Sequence, residues 1–124
     1  MENSILTSTK KILGLGETYT PFDLDVITHI NSALSNLQQL GIGPAVGLAI
    51  EDNTVLWDAL ALPTNQLSMV KTYIFMKTRM LFDPPSTSFL IQAMKDEILE
   101  HEVRLSLLRE GNLIPVPTPT GEVV

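Results

Sequence analysis

The side chains that could carry out catalysis or bind a metal are few, because the chain has two histidines, His29 and His101, and no cysteine. His101 falls on the apolar seam of a predicted helix, three residues after Ile98 and four before Leu105. This position favours a partly buried structural histidine over a catalytic one. The adjacent Glu102 lacks the second histidine that a zinc-protease helix needs. The histidines therefore indicate no active site.

The acidic pairs are better explained by helix ends and solvation than by acid–base catalysis. Asp23 and Asp25 lie near the start of a predicted helix. Glu97 and Glu100 lie about one turn apart on another predicted helix. The Gly-Leu-Gly and Gly-Ile-Gly tripeptides lack the glycine pattern and the lysine of a phosphate-binding loop. We therefore expect no enzyme activity, no cofactor and no metal site.

The composition is that of one ordinary globular domain, with 124 residues, 44% hydrophobic and 18% charged. The net charge is −6 and the basic residues are scattered, which argues against a site that grips nucleic acid. The N-terminus does not resemble a signal peptide, and no apolar run reaches the roughly 20 residues that span a bilayer. We expect a cytoplasmic chain without membrane contact, past which DNA could slide without specific binding.

Apolar periodicity predicts a mainly α fold, a small bundle of about four helices. The predicted helices cover about residues 4–13, 21–40, 65–82 and 86–109. Thr20 can cap the second helix, with Pro21 at its first position and Asp23 reaching back to the cap. The Asp-Pro-Pro break before the fourth helix makes the last two helices antiparallel neighbours, with Ser86 or Ser88 as the cap.

The third predicted helix is apolar on more than one face, which favours the centre of the bundle with one edge reaching a neighbour. The candidates for subunit contacts are Tyr73, Phe75, Met76 and Met80. On the fourth helix the apolar positions are Leu90, Met94, Ile98, Leu105 and Leu108, and Asp96, Glu97, Glu100 and Glu102 are expected to face outward. The methionines also suit an adaptable peptide groove.

Residues 47–62 allow two interpretations. Alternation at Leu48, Ile50, Val55 and Trp57 fits either a short β-hairpin or an ordered loop. Trp57 is predicted to anchor the core, and the alternative is an exposed interface residue.

The C-terminus divides the chain into a helical domain, residues 1–111, and an extended proline-rich arm, residues 112–124. Prolines at alternate positions block one edge of a strand, while the other edge keeps its hydrogen-bonding groups. Such a strand could add to one partner sheet. The candidate partner-binding residues are Leu113, Ile114, Val116, Thr118 and Thr120. The alternative is a flexible tail.

These segments resemble the head–tail connector (adaptor, or head-completion) proteins of tailed bacteriophages, especially siphophages of Gram-positive hosts. The resemblance covers about residues 5–109. It rests on ILTSTKKILGL, YTPFDLDVITHINSALSNLQQLGIGP, the lone Trp57, VKTYIFMKTRMLFDPPSTSFLIQAM and EVRL. These strings carry no known chemistry, so the likeness is one of overall pattern.

The resemblance implies a structural virion protein that forms a homo-oligomeric ring, commonly a dodecamer, beneath the portal. Such a ring extends the DNA channel and gives the stopper or tail-completion protein a platform. It would reside in the virion neck, and in the host cytoplasm during assembly. Terminal extensions of such proteins contact the portal and neighbouring subunits, which makes residues 113–124 the candidate arm. The alternative is a small helical regulatory protein-binding module with a peptide groove.

Overall fold

Four α-helices form the part of the chain that this computed structural model describes, residues 3–44 and 46–113. They are α1 (Ile5–Ile12), α2 (Asp23–Gln39), α3 (Thr64–Phe82) and α4 (Ser88–Leu113). A 3₁₀ turn, Trp57–Leu60, lies between α2 and α3. The described residues contain no β-sheet, and the prediction of a mainly α bundle of about four helices is confirmed.

The third helix lies at the centre of the bundle, where α3 packs against α2, α4 and α1. Its side chains Val70, Tyr73, Ile74 and Thr78 are fully buried. From α2 come Val26, Ile30, Ala33, Leu34 and Leu37, and α1 adds Ile5 and Leu6. Burial of these apolar side chains is the main force holding the helices together. The central position predicted for α3 is confirmed.

The start of the chain is joined to the connection between α2 and α3. Ser4 caps α1 through its hydroxyl, and two backbone hydrogen bonds of 3.0 Å flank it. Ile5 N–H donates to the Val55 carbonyl, and Trp57 N–H donates to the Asn3 carbonyl. One antiparallel bridge results, and it holds α1 over the core.

The second helix begins at Asp23, two residues later than predicted, and no side chain caps it. Thr20 contributes its carbonyl, which accepts from Asp23 N–H at 3.1 Å, and its hydroxyl is not the cap. The Asp23 carboxylate contacts the Lys10 ammonium instead of reaching back to Thr20. The capping prediction was wrong because a charged partner from α1 lies beside Asp23.

The connection after α2 is an ordered loop, not a hairpin. The Asn31 side chain of α2 bonds both polar backbone groups of Ile50: Oδ1 accepts from its N–H at 2.8 Å, and Nδ2 donates to its carbonyl at 3.0 Å. The side-chain amide of Asn31 thus satisfies the two backbone groups of Ile50 that a neighbouring β-strand would otherwise bond. At the exposed tip of this loop, the hydroxyl and the backbone N–H of Thr54 both donate to the Asp52 carboxylate. These hydrogen bonds lower the pKa of Asp52, and the one from the hydroxyl has the larger effect.

The last two helices are antiparallel, because Tyr73 lies beside Glu102 while Met76 and Met94 line one groove. The cap of α4 is Thr87, whose hydroxyl accepts from the Leu90 N–H at 3.2 Å. The cap is therefore neither Ser86 nor Ser88. The helix runs to Leu113, beyond the predicted end at residue 109. None of the helices described is long and apolar enough to cross a membrane.

Candidate functional site

The polar residues considered as candidates for chemistry make contacts within a helix or between two helices. The Nδ1 atom of His101 lies 3.0 Å from the Glu97 carbonyl oxygen, one turn earlier on α4, and the ring is partly buried. Asp23 pairs with Lys10. Within residues 3–44 and 46–113, no group of three or more potential ligands lies close enough to hold a metal ion.

An almost buried lysine joins α1 to the start of α2. The Lys10 ammonium lies 2.8 Å from Asp23 Oδ1 and donates to the Glu17 carbonyl at 3.1 Å. The Lys10 side chain is only 3% exposed, so removing Asp23 would leave a buried charge poorly matched. Sequence spacing does not predict this pair, because Lys10 and Asp23 lie on different helices.

A hydrogen-bonded pair, Tyr73 and Glu102, joins α3 to α4. The Tyr73 hydroxyl donates to Glu102 Oε2 at 2.7 Å and accepts from Asn36 Nδ2 at 3.5 Å. Burial, and then the hydrogen bond to Glu102, raise the pKa of Tyr73 well above its usual value. Asp96, Glu97 and Glu100 are exposed as predicted, whereas Glu102 turns toward α3. Tyr73 has no exposed surface to offer a neighbouring subunit.

The outward side of α4 carries apolar residues that the sequence reasoning did not identify as a surface. Leu99, Val103 and Leu107 follow one another at intervals of four and are 60%, 51% and 61% exposed. We call these three residues the outer stripe. Leu40, at the end of α2, lies at its edge and completes a shallow groove. On the opposite side of the same helix, Ile98 and Leu105 are buried in the core.

A second surface lies between α3 and α4, and we call it the methionine groove. Met76, Pro85, Leu90 and Met94 line it, and its volume is about 370 Å³. Met76 is one of the predicted contact residues, and Met80 is also partly buried. The groove is open and mainly apolar, which is the chemistry of a protein-binding surface.

A third surface, the lysine cleft, is formed by Lys11, Ile12, Trp57, Lys71 and Phe75, with a volume of about 320 Å³. Trp57 is 3% exposed and packs edge-on against Phe75, with ring centres 5.8 Å apart. The Lys71 ammonium lies 5.4 Å from the indole centre, within the range of a cation–π contact. Trp57 is therefore a core residue, as predicted, with one edge in a positively charged cleft.

The predicted partner-binding arm is described only at its first residue. Leu113 is the last residue of α4, and Ile114, Val116, Thr118 and Thr120 lie outside the described residues. Their role stays a prediction.

Comparison with known proteins gives the family. A family described as phage connector protein matches residues 5–112, a range that contains almost all of the four helices. The chain belongs to this phage connector family. Membership gives this connector a structural role in the head–tail connection of a phage. No curated protein and no solved structure shows significant similarity to it.

Proposed function

We propose that this connector is the neck adaptor of a siphophage of a Gram-positive host, forming a ring beneath the portal, commonly of twelve copies. The observation that carries the proposal is the family match over residues 5–112. The ring would extend the DNA channel and present a platform to the stopper or tail-completion protein. It would lie in the virion neck after assembly in the host cytoplasm, and DNA would pass through it without specific binding.

The exposed apolar surface of α4 supports an assembled state. Phe89 is 78% exposed, and the outer stripe adds three more half-exposed apolar side chains. Large exposed apolar side chains of this kind are typical of protein–protein contacts. Subunits and partners would cover it in the neck. Of the predicted contact residues, Phe75 lines the lysine cleft and Met76 lines the methionine groove, while Met80 is partly buried against the core.

Residues 113–124 are proposed as the arm that reaches the portal. The alternating prolines leave one hydrogen-bonding edge, which can pair with a sheet of the portal and cannot extend that sheet further. The basis is the residue pattern Ile-Pro-Val-Pro-Thr-Pro.

The methionine groove favours one alternative, a regulatory module that binds a helical peptide. An open apolar groove with two methionines can adapt to such a ligand. Under this alternative the protein would stay monomeric or dimeric and would not respond to a portal.

The mass of the purified protein distinguishes these functions. Light scattering should give a ring-sized species, either alone or after mixing with the cognate portal, or joint elution with that portal. A persistent monomer or dimer that ignores the portal would contradict the neck-adaptor proposal.

Removal of the arm tests its proposed contact. Deleting residues 114–124, which begin after α4, should leave helix content and thermal unfolding unchanged while weakening portal binding. The full-length chain is the control, and circular dichroism checks that the truncated protein is folded. Portal binding equal to that of the full-length chain would rule out the arm as the contact.

A further inference from the structure

The outer stripe and the lysine cleft are two apolar surfaces on different parts of one chain. The stripe belongs to α4, which packs on α3, and its groove is completed by the end of α2. The cleft is built from α1, the 3₁₀ turn and α3. The two surfaces share no lining residue, so a contact between them must join two copies.

Their charges are complementary. Both charged residues that line the cleft, Lys11 and Lys71, are basic. Between residues 88 and 108, α4 has four acidic and two basic side chains. Arg104 pairs with Glu100, and Lys95 is the other base. Asp96 is exposed and lies three residues before Leu99, so an acid borders the outer stripe, whereas Glu102 is already bonded to Tyr73.

Both surfaces are also partly apolar. The cleft is lined by the apolar side chains of Ile12, Trp57 and Phe75 and by two lysines, of which Lys71 lies over the indole ring. The stripe offers apolar side chains in a row along one side of a helix. A helix whose apolar row enters the cleft would bring its acids toward the lysines. Protein–protein interfaces usually have an apolar centre and a polar rim.

We infer that the outer stripe of one copy docks in the lysine cleft of the next copy, so that the copies join head to tail. The two contact surfaces differ, so the contact is heterologous, and repetition of a heterologous contact closes into a ring when the rotation per copy allows it. This inference rests on the proposed ring and names the surfaces that would build it.

Cysteine crosslinking tests the pairing, since the natural chain has no cysteine. Val103 and Ile12 are each 51% exposed and belong to the stripe and the cleft. The double variant V103C/I12C, treated with a short thiol-reactive crosslinker under assembly conditions, should give a ladder of covalent multimers. Each single variant should stay monomeric, and mixing the two should give only a covalent dimer.

A matched control uses Leu24, an apolar residue of α2 that is 76% exposed and lines neither surface. V103C/L24C should give no ladder. Dimers formed by V103C alone, or an equal ladder from V103C/L24C, would overturn the inference.

Charge reversal gives a second measurement. Lys71→Glu should weaken assembly at least about tenfold, because it faces acidic side chains with a like charge. Lys71→Arg should assemble normally. Lys77→Glu makes the same charge change on α3 outside both surfaces and should have little effect. Equal loss in the two Glu variants would contradict a specific role for the cleft.

Light scattering of the natural chain separates the two proposals. If it assembles, alone or on the portal, and V103C/I12C gives no ladder, then the head-to-tail pairing is wrong and the neck-adaptor function stands. If it never assembles, both fail together.

Discussion

The two helices α3 and α4 have similar apolar content but use it differently. In α3, Val70 and Ile74 are fully buried among the other helices. In α4, Leu99 and Leu107 are about 60% exposed, although Leu105 on the same helix is fully buried. α3 has helices on several sides, while α4 packs mainly on α3. The apolar residues of a central helix stabilise the fold, and those of a peripheral helix remain available for partners.

The largest effect is expected where the loop meets α3. Trp57→Ala removes a buried indole that packs against Phe75, and should cost about 3–5 kcal/mol of unfolding free energy. Chemical denaturation monitored by circular dichroism measures it. A loss below about 0.5 kcal/mol would mean that the indole contributes no more than a surface residue.

The comparison can be made within α4 itself. Leu105→Ala should cost about 2–5 kcal/mol, because it leaves a cavity in the core. Leu107→Ala removes the same atoms from the outer stripe and should change stability by less than about 0.5 kcal/mol. Chemical denaturation of both variants measures their stability, and light scattering with the portal measures their assembly. Equal destabilisation would show that the outer stripe is packed within one chain.

A smaller loss than that of the two core truncations is expected at the polar contact between the two helices. Tyr73→Phe removes a hydroxyl that bonds Glu102, and should cost about 1–2 kcal/mol near neutral pH. The folded-state pKa of Tyr73 is raised, so its contribution is fully present below the unfolded pKa of about 10. It is lost as the pH rises from there toward the folded pKa.

Denaturation between neutral and strongly alkaline pH checks the sign. The natural chain should lose stability more steeply above about pH 10 than the Tyr73→Phe variant does. Tyr19→Phe is the control, since Tyr19 is exposed and its loss should leave the curve unchanged. Parallel curves for the natural chain and the Tyr73→Phe variant would contradict the raised pKa.

The helices could be predicted because their signals are local. Apolar spacing, a glycine after α2 and the Pro84-Pro85 break place all four helices, with the starts and ends shifted by a few residues. Trp57 as a core residue also follows from its size and apolar neighbours. These features depend on residues close together in the sequence.

The contacts between distant residues could not be predicted in the same way. Lys10 meets Asp23, and Asn31 meets Ile50, only because the bundle brings their backbones together. The spacing of Glu102 on α4 predicts a solvent-exposed acid, but the fold brings Tyr73 of α3 within hydrogen-bonding distance of it. The outer stripe has ordinary helical spacing, so only the packing reveals that no part of the described chain covers it fully.

The absence of a sheet from residues 3–44 and 46–113 bears on the order of events in assembly. A strand formed by residues 114–120 would find only one isolated bridge there, so its ladder partner would have to come from another molecule. The proposed arm would gain its backbone hydrogen bonds only once that molecule is in place. Under the proposal of a portal contact, the portal would therefore have to be in place before the connector could make these hydrogen bonds.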